Sequence, residues 1–220
     1  MDPISHFVEY LCQFIPGIKL VEKKQSLLMK LLGKLLFFNK RFMTHTTTVL
    51  GKTIYLPSQV SRDLSLMSII AHEYVHIQDA KRMGFIKFAL QYTFPQNLTL
   101  LALFTLLTPW EPSFIGFLIF IEALFPWPSF YRIEIEMRAY SMSLLFELWT
   151  KGHTRLKAID ETVDILHGST YYWPGGNKKL SQFYFKIILE DAQHGILPTG
   201  NAFREVWRYL EKEKYVTRSV

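Results

Sequence analysis

The sequence predicts an α+β fold that is mostly α, and three observations carry that expectation. Apolar residues recur at helical spacing over most of the chain, and two short β-rich runs stand side by side at 46–56. Of the 220 residues, 49% are apolar and 15% aromatic, enough to bury a large core. A lone Cys12 excludes internal disulfides. The expected organisation is a basic amphipathic helical segment over 1–42, a core over 43–150 with an apolar helical hairpin at 85–130, and a helical C-terminal part of the same domain over 151–220.

The formal net charge is +6, and residues 19–41 carry all of it: Lys19, Lys23, Lys24, Lys30, Lys34, Lys40 and Arg41 against Glu22. Leu27, Leu28, Leu31, Leu32, Leu35 and Leu36 recur between these cations at helical spacing. Such a helix either packs one face on the core with its lysines in water or lies on an anionic membrane surface. Nucleic acid is not an expected partner, because aromatic residues do not alternate with the cations and no recognition motif is present. Met1 to His6 lacks the basic start and apolar stretch of a signal peptide. The expected location is therefore intracellular and cytoplasmic, with membrane association as an addition.

Thr46 to Leu50 and Thr53 to Leu56 flank Gly51-Lys52 and read as a β-hairpin that Pro57 ends. The strand near 53–56 is either scaffold or an open edge along which an extended peptide substrate pairs. The apolar run Leu64, Leu66, Met67, Ile69, Ile70 and Ala71 then opens a helix. Asp63 or Ser61 is its N-cap and Gly84 its C-cap after Lys81 and Arg82, so the helix is expected over about 63–83.

That helix carries His72-Glu73-Tyr74-Val75-His76. Residues four apart share a helix face, so both imidazoles can reach one metal ion. Two neutral nitrogens leave Zn²⁺ with open positions, and Glu73, about 100° round the helix, stands beside a water on that ion as its general base. This is the HExxH pattern of zinc metallopeptidases. The alternative is two surface histidines on an amphipathic helix.

A catalytic zinc site needs a third protein ligand. The position ten residues after His72 is Arg82, which cannot serve, and Asp79 is better suited to holding a histidine or a cation than to reaching the metal. Arg132 to Tyr140 offers Glu134 and Glu136. Glu136 is preferred because the small Ala139, three residues on, would let its helix pack closely on the histidine helix, whereas Glu134 points about 200° away. An exposed acidic helix start remains the alternative.

His72-Glu73-x-x-His76 with Glu136-x-x-Ala139 resembles the gluzincin branch of the zincin metallopeptidases. Within it, the chain is similar to the group of CAAX prenyl proteases and the bacterial membrane-bound heat-shock protease. There the glutamate arrives on a second helix about sixty residues after the motif, as Glu136 does here, with apolar helices in the interval. The resemblance covers about 44–145. It implies a zincin-like core and one Zn²⁺ on His72, His76 and Glu136. Those families place an aspartate directly after the alanine, where this chain has Tyr140. Asp79 or Glu134 is then the acid expected to orient the first histidine, or that contact is missing.

Leu98 to Leu107 is uncharged and Phe114 to Trp127 carries only Glu122, with Pro109 to Pro112 turning the chain between them. Each run is shorter than a bilayer-spanning helix, so the hairpin is either buried protein or a shallow or spanning membrane element. Beyond Trp149, helices are expected near 155–166, 179–193 and 200–213. The aromatic loop at 167–176 offers His167, Tyr171 and Tyr172 as candidate oxyanion stabilisers. The expected activity is hydrolysis of a peptide or protein substrate. Its competitors are a zinc hydrolase with a non-peptide substrate and a membrane-associated structural or binding protein with a vestigial metal site.

Overall fold

The computed structural model describes residues 2–35, 41–57, 60, 63–94, 130–154, 156–168 and 176–217. They form a mostly helical protein with a small three-stranded sheet. In chain order the elements are α1 (Pro3–Cys12), β1 (Lys19–Glu22), a 3₁₀ turn (Lys23–Gln25), α2 (Leu27–Leu35), β2 (Thr48–Leu50), β3 (Thr53–Leu56), α3 (Leu64–Met83), α4 (Phe85–Thr93), α5 (Phe130–Lys151), α6 (Leu156–Leu166), α7 (Lys178–Gln193) and α8 (Asn201–Lys212). The chain divides into two compact units, 1–78 with 142–154 and 191–220, and 79–141 with 155–190. Both α3 and α5 run through the two.

In the first unit the sheet order is β1-β3-β2. β2 and β3 form the expected hairpin, with Leu50 opposite Thr53. Gly51 takes the positive φ of 63° that a two-residue hairpin turn requires at its first position. β1 pairs parallel with β3 on its other side, Lys19 opposite Thr53 through Glu22 opposite Leu56.

Two expectations are corrected here. Residues 19–22, read as part of a basic helical segment, are a strand, because the ladder with β3 is a non-local pairing that helical periodicity cannot reveal. The 53–56 strand offers no open edge, since β1 and β2 occupy both of its sides, so an extended substrate cannot pair along it. The corrected segment also buries a charge. Lys23 is fully buried, its Nζ donating to the Phe42 carbonyl at 2.7 Å and to Thr46 Oγ1 at 3.2 Å, and lying 3.8 Å from the Phe42 ring centroid.

The first unit's core combines Phe7, Leu11 and Ile15 with Ile54, Ile70, Ala71 and Val75, and with Met142, Leu145, Phe203, Val206 and Leu210. α8 buries Ala202, Phe203, Val206, Tyr209 and Leu210, the i, i+3, i+4 stripe of an amphipathic helix. Burial of Phe203, Val206 and Leu210 stabilises by about 1.5–3 kcal/mol each. The second unit is built on Ile133, Ile135 and Ala139 with Ala158, Ile159, Val163, Leu166, Phe185 and Leu189.

α4 occupies the start of the expected 85–130 hairpin, and the rest of that hairpin, 95–129, lies outside the described residues. Among the described residues no helix is long and apolar enough to cross a membrane.

Candidate metal centre

α3 is delimited as its sequence dictates. Asp63 accepts the backbone N–H of Ser65 on its side chain at 2.9 Å, and Gly84 follows the last turn with φ 86°. Over those 20 residues the histidines and Glu73 are fixed by helix geometry alone, the imidazole centroids lying 5.1 Å apart. His76 and Glu73 are buried, 7% and 8% exposed, inside the protein and not on a solvated helix face.

The back of α3 is pinned in the first unit by a buried polar cluster. Tyr74 donates its hydroxyl to Glu205 of α8, while Gln78 Nε2 donates to Glu205 at 2.8 Å and to the Tyr74 hydroxyl at 2.7 Å. Burial, followed by the Glu205 carboxylate, pushes the Tyr74 pKa above its ordinary value. The phenol therefore stays protonated and remains a donor.

α5 meets α3 in each unit. In the first, Ser143 Oγ lies 3.2 Å from His72 Nδ1. In the second, the Arg138 guanidinium lies 3.5 Å from the Asp79 carboxylate, which Arg82 approaches at 3.4 Å. Numbers rise on α3 as they fall on α5, so the helices are antiparallel. The small Ala139, fully buried, lies between these two contacts on α5. One donor atom each of His72, His76 and Glu136 lies within 4.8 Å of the others.

Glu136 is itself buried, 2% exposed, and one of its carboxylate oxygens accepts the Tyr92 hydroxyl from α4. The Arg132 guanidinium stands 4.8 Å from the Tyr92 ring centroid and holds that ring by a cation–π contact. Hydrogen bonds to the outer atoms of a ligand set fix its tautomer and orientation. A proton on His72 Nδ1 shared with Ser143 leaves Nε2 with the lone pair a metal needs, and Tyr92 restricts the rotation of the Glu136 carboxylate.

The donor set fits Zn²⁺ by type: two imidazoles and one carboxylate are three protein ligands with a position left open. Ligand bonds of about 2.0–2.2 Å put tetrahedral donors about 3.4 Å apart, against a mutual spacing of up to 4.8 Å here.

The remaining candidates fall elsewhere. Asp79 is deeply buried between Arg82 and Arg138. Burial raises its carboxyl above the usual range, and the two guanidiniums, Arg138 first, work against that shift. Glu134 is exposed and, with Asp79, Arg82, Tyr131 and Arg138, borders a cavity of about 270 Å³ in the second unit. Tyr140 is half-buried. His167 directly follows α6 and its Nε2 lies 3.0 Å from Ser181 Oγ of α7, with its pKa lowered by burial and then by Lys178. It is not among the three clustered donor residues. Tyr171 and Tyr172 lie outside the described residues.

Sequence reasoning missed Ser143, Tyr92 and Lys23. Ser143 had a signal, because it follows Glu136 by seven residues, two helical turns along the same face. Tyr92 and Lys23 reach their partners through tertiary pairings without a local pattern. Lys23 is a cation near Glu73, whose charge works to raise the lysine's pKa against the larger lowering by burial. Comparison of the chain with protein-family models, with curated proteins and with solved structures yields no match.

Proposed function

We propose that this chain is a zinc-dependent metallopeptidase with a zincin-like core, in which His72, His76 and Glu136 hold one Zn²⁺ and Glu73 is the general base. The observation that carries this reading is the clustering of the three donor atoms, two from one turn of α3 and one from a carboxylate sixty residues later. A bound zinc ion supplies Lewis-acid polarisation of the scissile carbonyl and acidifies water.

The chain's own groups do the rest. Glu73 takes the proton of the attacking water on its carboxylate and delivers it to the departing amine. Ser143 holds the His72 ring, and Tyr92 holds Glu136. The burial of Glu73 and Glu136 limits competing water around both carboxylates.

Replacing Glu73 by Gln removes the base and leaves the ligands, so the variant is expected to retain zinc and lose about 10²–10⁴-fold in turnover of a fluorogenic peptide library. Full activity in Glu73→Gln would show that the base lies elsewhere. The pairing of both edges of β3 favours a second reading, a zinc hydrolase with a non-peptide substrate, because the strand nearest α3 in sequence cannot align an extended peptide. The same peptide library, set beside a panel of ester and amide substrates, separates the two.

A further inference from the structure

We propose that α2 docks this protein on an anionic phospholipid surface, with Leu27, Leu28 and Leu31 entering the headgroup boundary and lysines contacting the phosphates. The observation is that α2 is mounted with its apolar arc outward. Its protein-facing side is identified twice. Met29 is fully buried, and a Cβ at Gly33 would come within 2.9 Å of the Met43 side chain, so the helix lies directly on Met43 there. Ser26 fixes the start of α2, accepting the Met29 N–H on its hydroxyl at 3.3 Å.

At about 100° per residue, Leu27 and Leu31 lie opposite Met29, and Leu28 extends their arc on one side, about 100° from Met29. They are 82%, 64% and 42% exposed. An amphipathic helix anchored only for stability would turn these leucines to the core. Lys30 and Lys34 border the Leu27 edge of the arc within about 60°, and Lys24 precedes the helix. All three lysines are exposed.

Apolar side chains with cations along one edge of a short helix are complementary to a surface with negative headgroups above hydrocarbon. A second copy of the chain is a poorer occupant. A two-fold contact through this arc would bring Lys30 and Lys34 toward their own duplicates. The nine residues of α2 span about 13 Å, which suits a helix lying in the interface plane.

The test is co-sedimentation of the full chain with phosphatidylcholine vesicles, with and without phosphatidylglycerol. The wild type is expected to pellet with the anionic vesicles and to be released by salt. Lys30→Gln/Lys34→Gln should weaken partitioning about thirtyfold, from the attraction of each lysine to an anionic surface. Leu27→Ser/Leu31→Ser should abolish partitioning with an unchanged melting temperature, since both side chains are exposed. Equal pelleting with neutral vesicles, or wild-type partitioning of either double variant, would overturn the proposal. So would a lipid-free dimer that Leu27→Ser/Leu31→Ser converts to monomer, which would assign the face to a second copy. None of these outcomes depends on the metal centre.

Discussion

Lys23 gives a pH signature that can be worked out in advance. Burial lowers its pKa from 10.5 to about 8, with the charge of Glu73 opposing the shift. In the unfolded chain the amine stays protonated to about pH 10.5, while in the folded chain it releases its proton near pH 8. Between these values the unfolded state binds more protons, so folding stability rises with pH. Integrated over that window, the Lys23 contribution is about 3 kcal/mol, from about 1.4 kcal/mol per pH unit. Below pH 8 the folded state carries the full cost of holding a buried ammonium, offset by the Phe42 carbonyl, Thr46 and the Phe42 ring. The measurement is urea unfolding of wild type and Lys23→Met from pH 7 to 10.5. Taking the difference cancels groups titrating in both proteins, including Tyr74 and Tyr209, whose pKa values burial raises. The wild type should gain about 3 kcal/mol on the variant across the window. A difference that stays flat with pH would refute the burial of a charged amine at this position.

Two further expectations concern the supports of the candidate centre. Tyr92→Phe removes the hydroxyl from the buried Glu136 carboxylate and should weaken zinc binding about 10–100-fold, read by competition with a chromophoric chelator. An unchanged affinity would make Tyr92 a packing residue only. Tyr74→Phe leaves Glu205 with one donor fewer and should cost about 2 kcal/mol, a loss of about 4–8 °C in melting temperature for a chain of this size. A melting temperature within about 1 °C of wild type would mean that Gln78 alone satisfies the carboxylate.

What was legible in the sequence was local. Asp63 and Gly84 delimit α3 because capping is decided within a turn of the helix end. Gly51-Lys52 marks the hairpin because a two-residue turn demands a positive φ. The HExxH spacing places two imidazoles on one face by helix geometry, and the small Ala139 is fully buried on α5. What was illegible was non-local. The four residues of β1 sit among lysines that read as one basic helix, and only pairing with β3, more than thirty residues on, reveals the strand. The same pairing closes the edge reserved for substrate. Asp79 reads as a support for either a histidine or a cation; it takes the cations, Arg82 and Arg138, and Ser143 is the group that reaches His72. Which polar group meets which depends on helix register, and spacing within one helix does not set it.

In the function proposed above, two imidazoles of α3 and the carboxylate of Glu136 grip one divalent ion. The most direct measurement is the zinc content of the purified full chain after equilibrium dialysis, for wild type and for His76→Ala and Glu136→Ala. One zinc ion per chain in the wild type, lost or weakened by orders of magnitude in both variants, is the predicted result. Substoichiometric zinc in the wild type, or full zinc in Glu136→Ala, would contradict it.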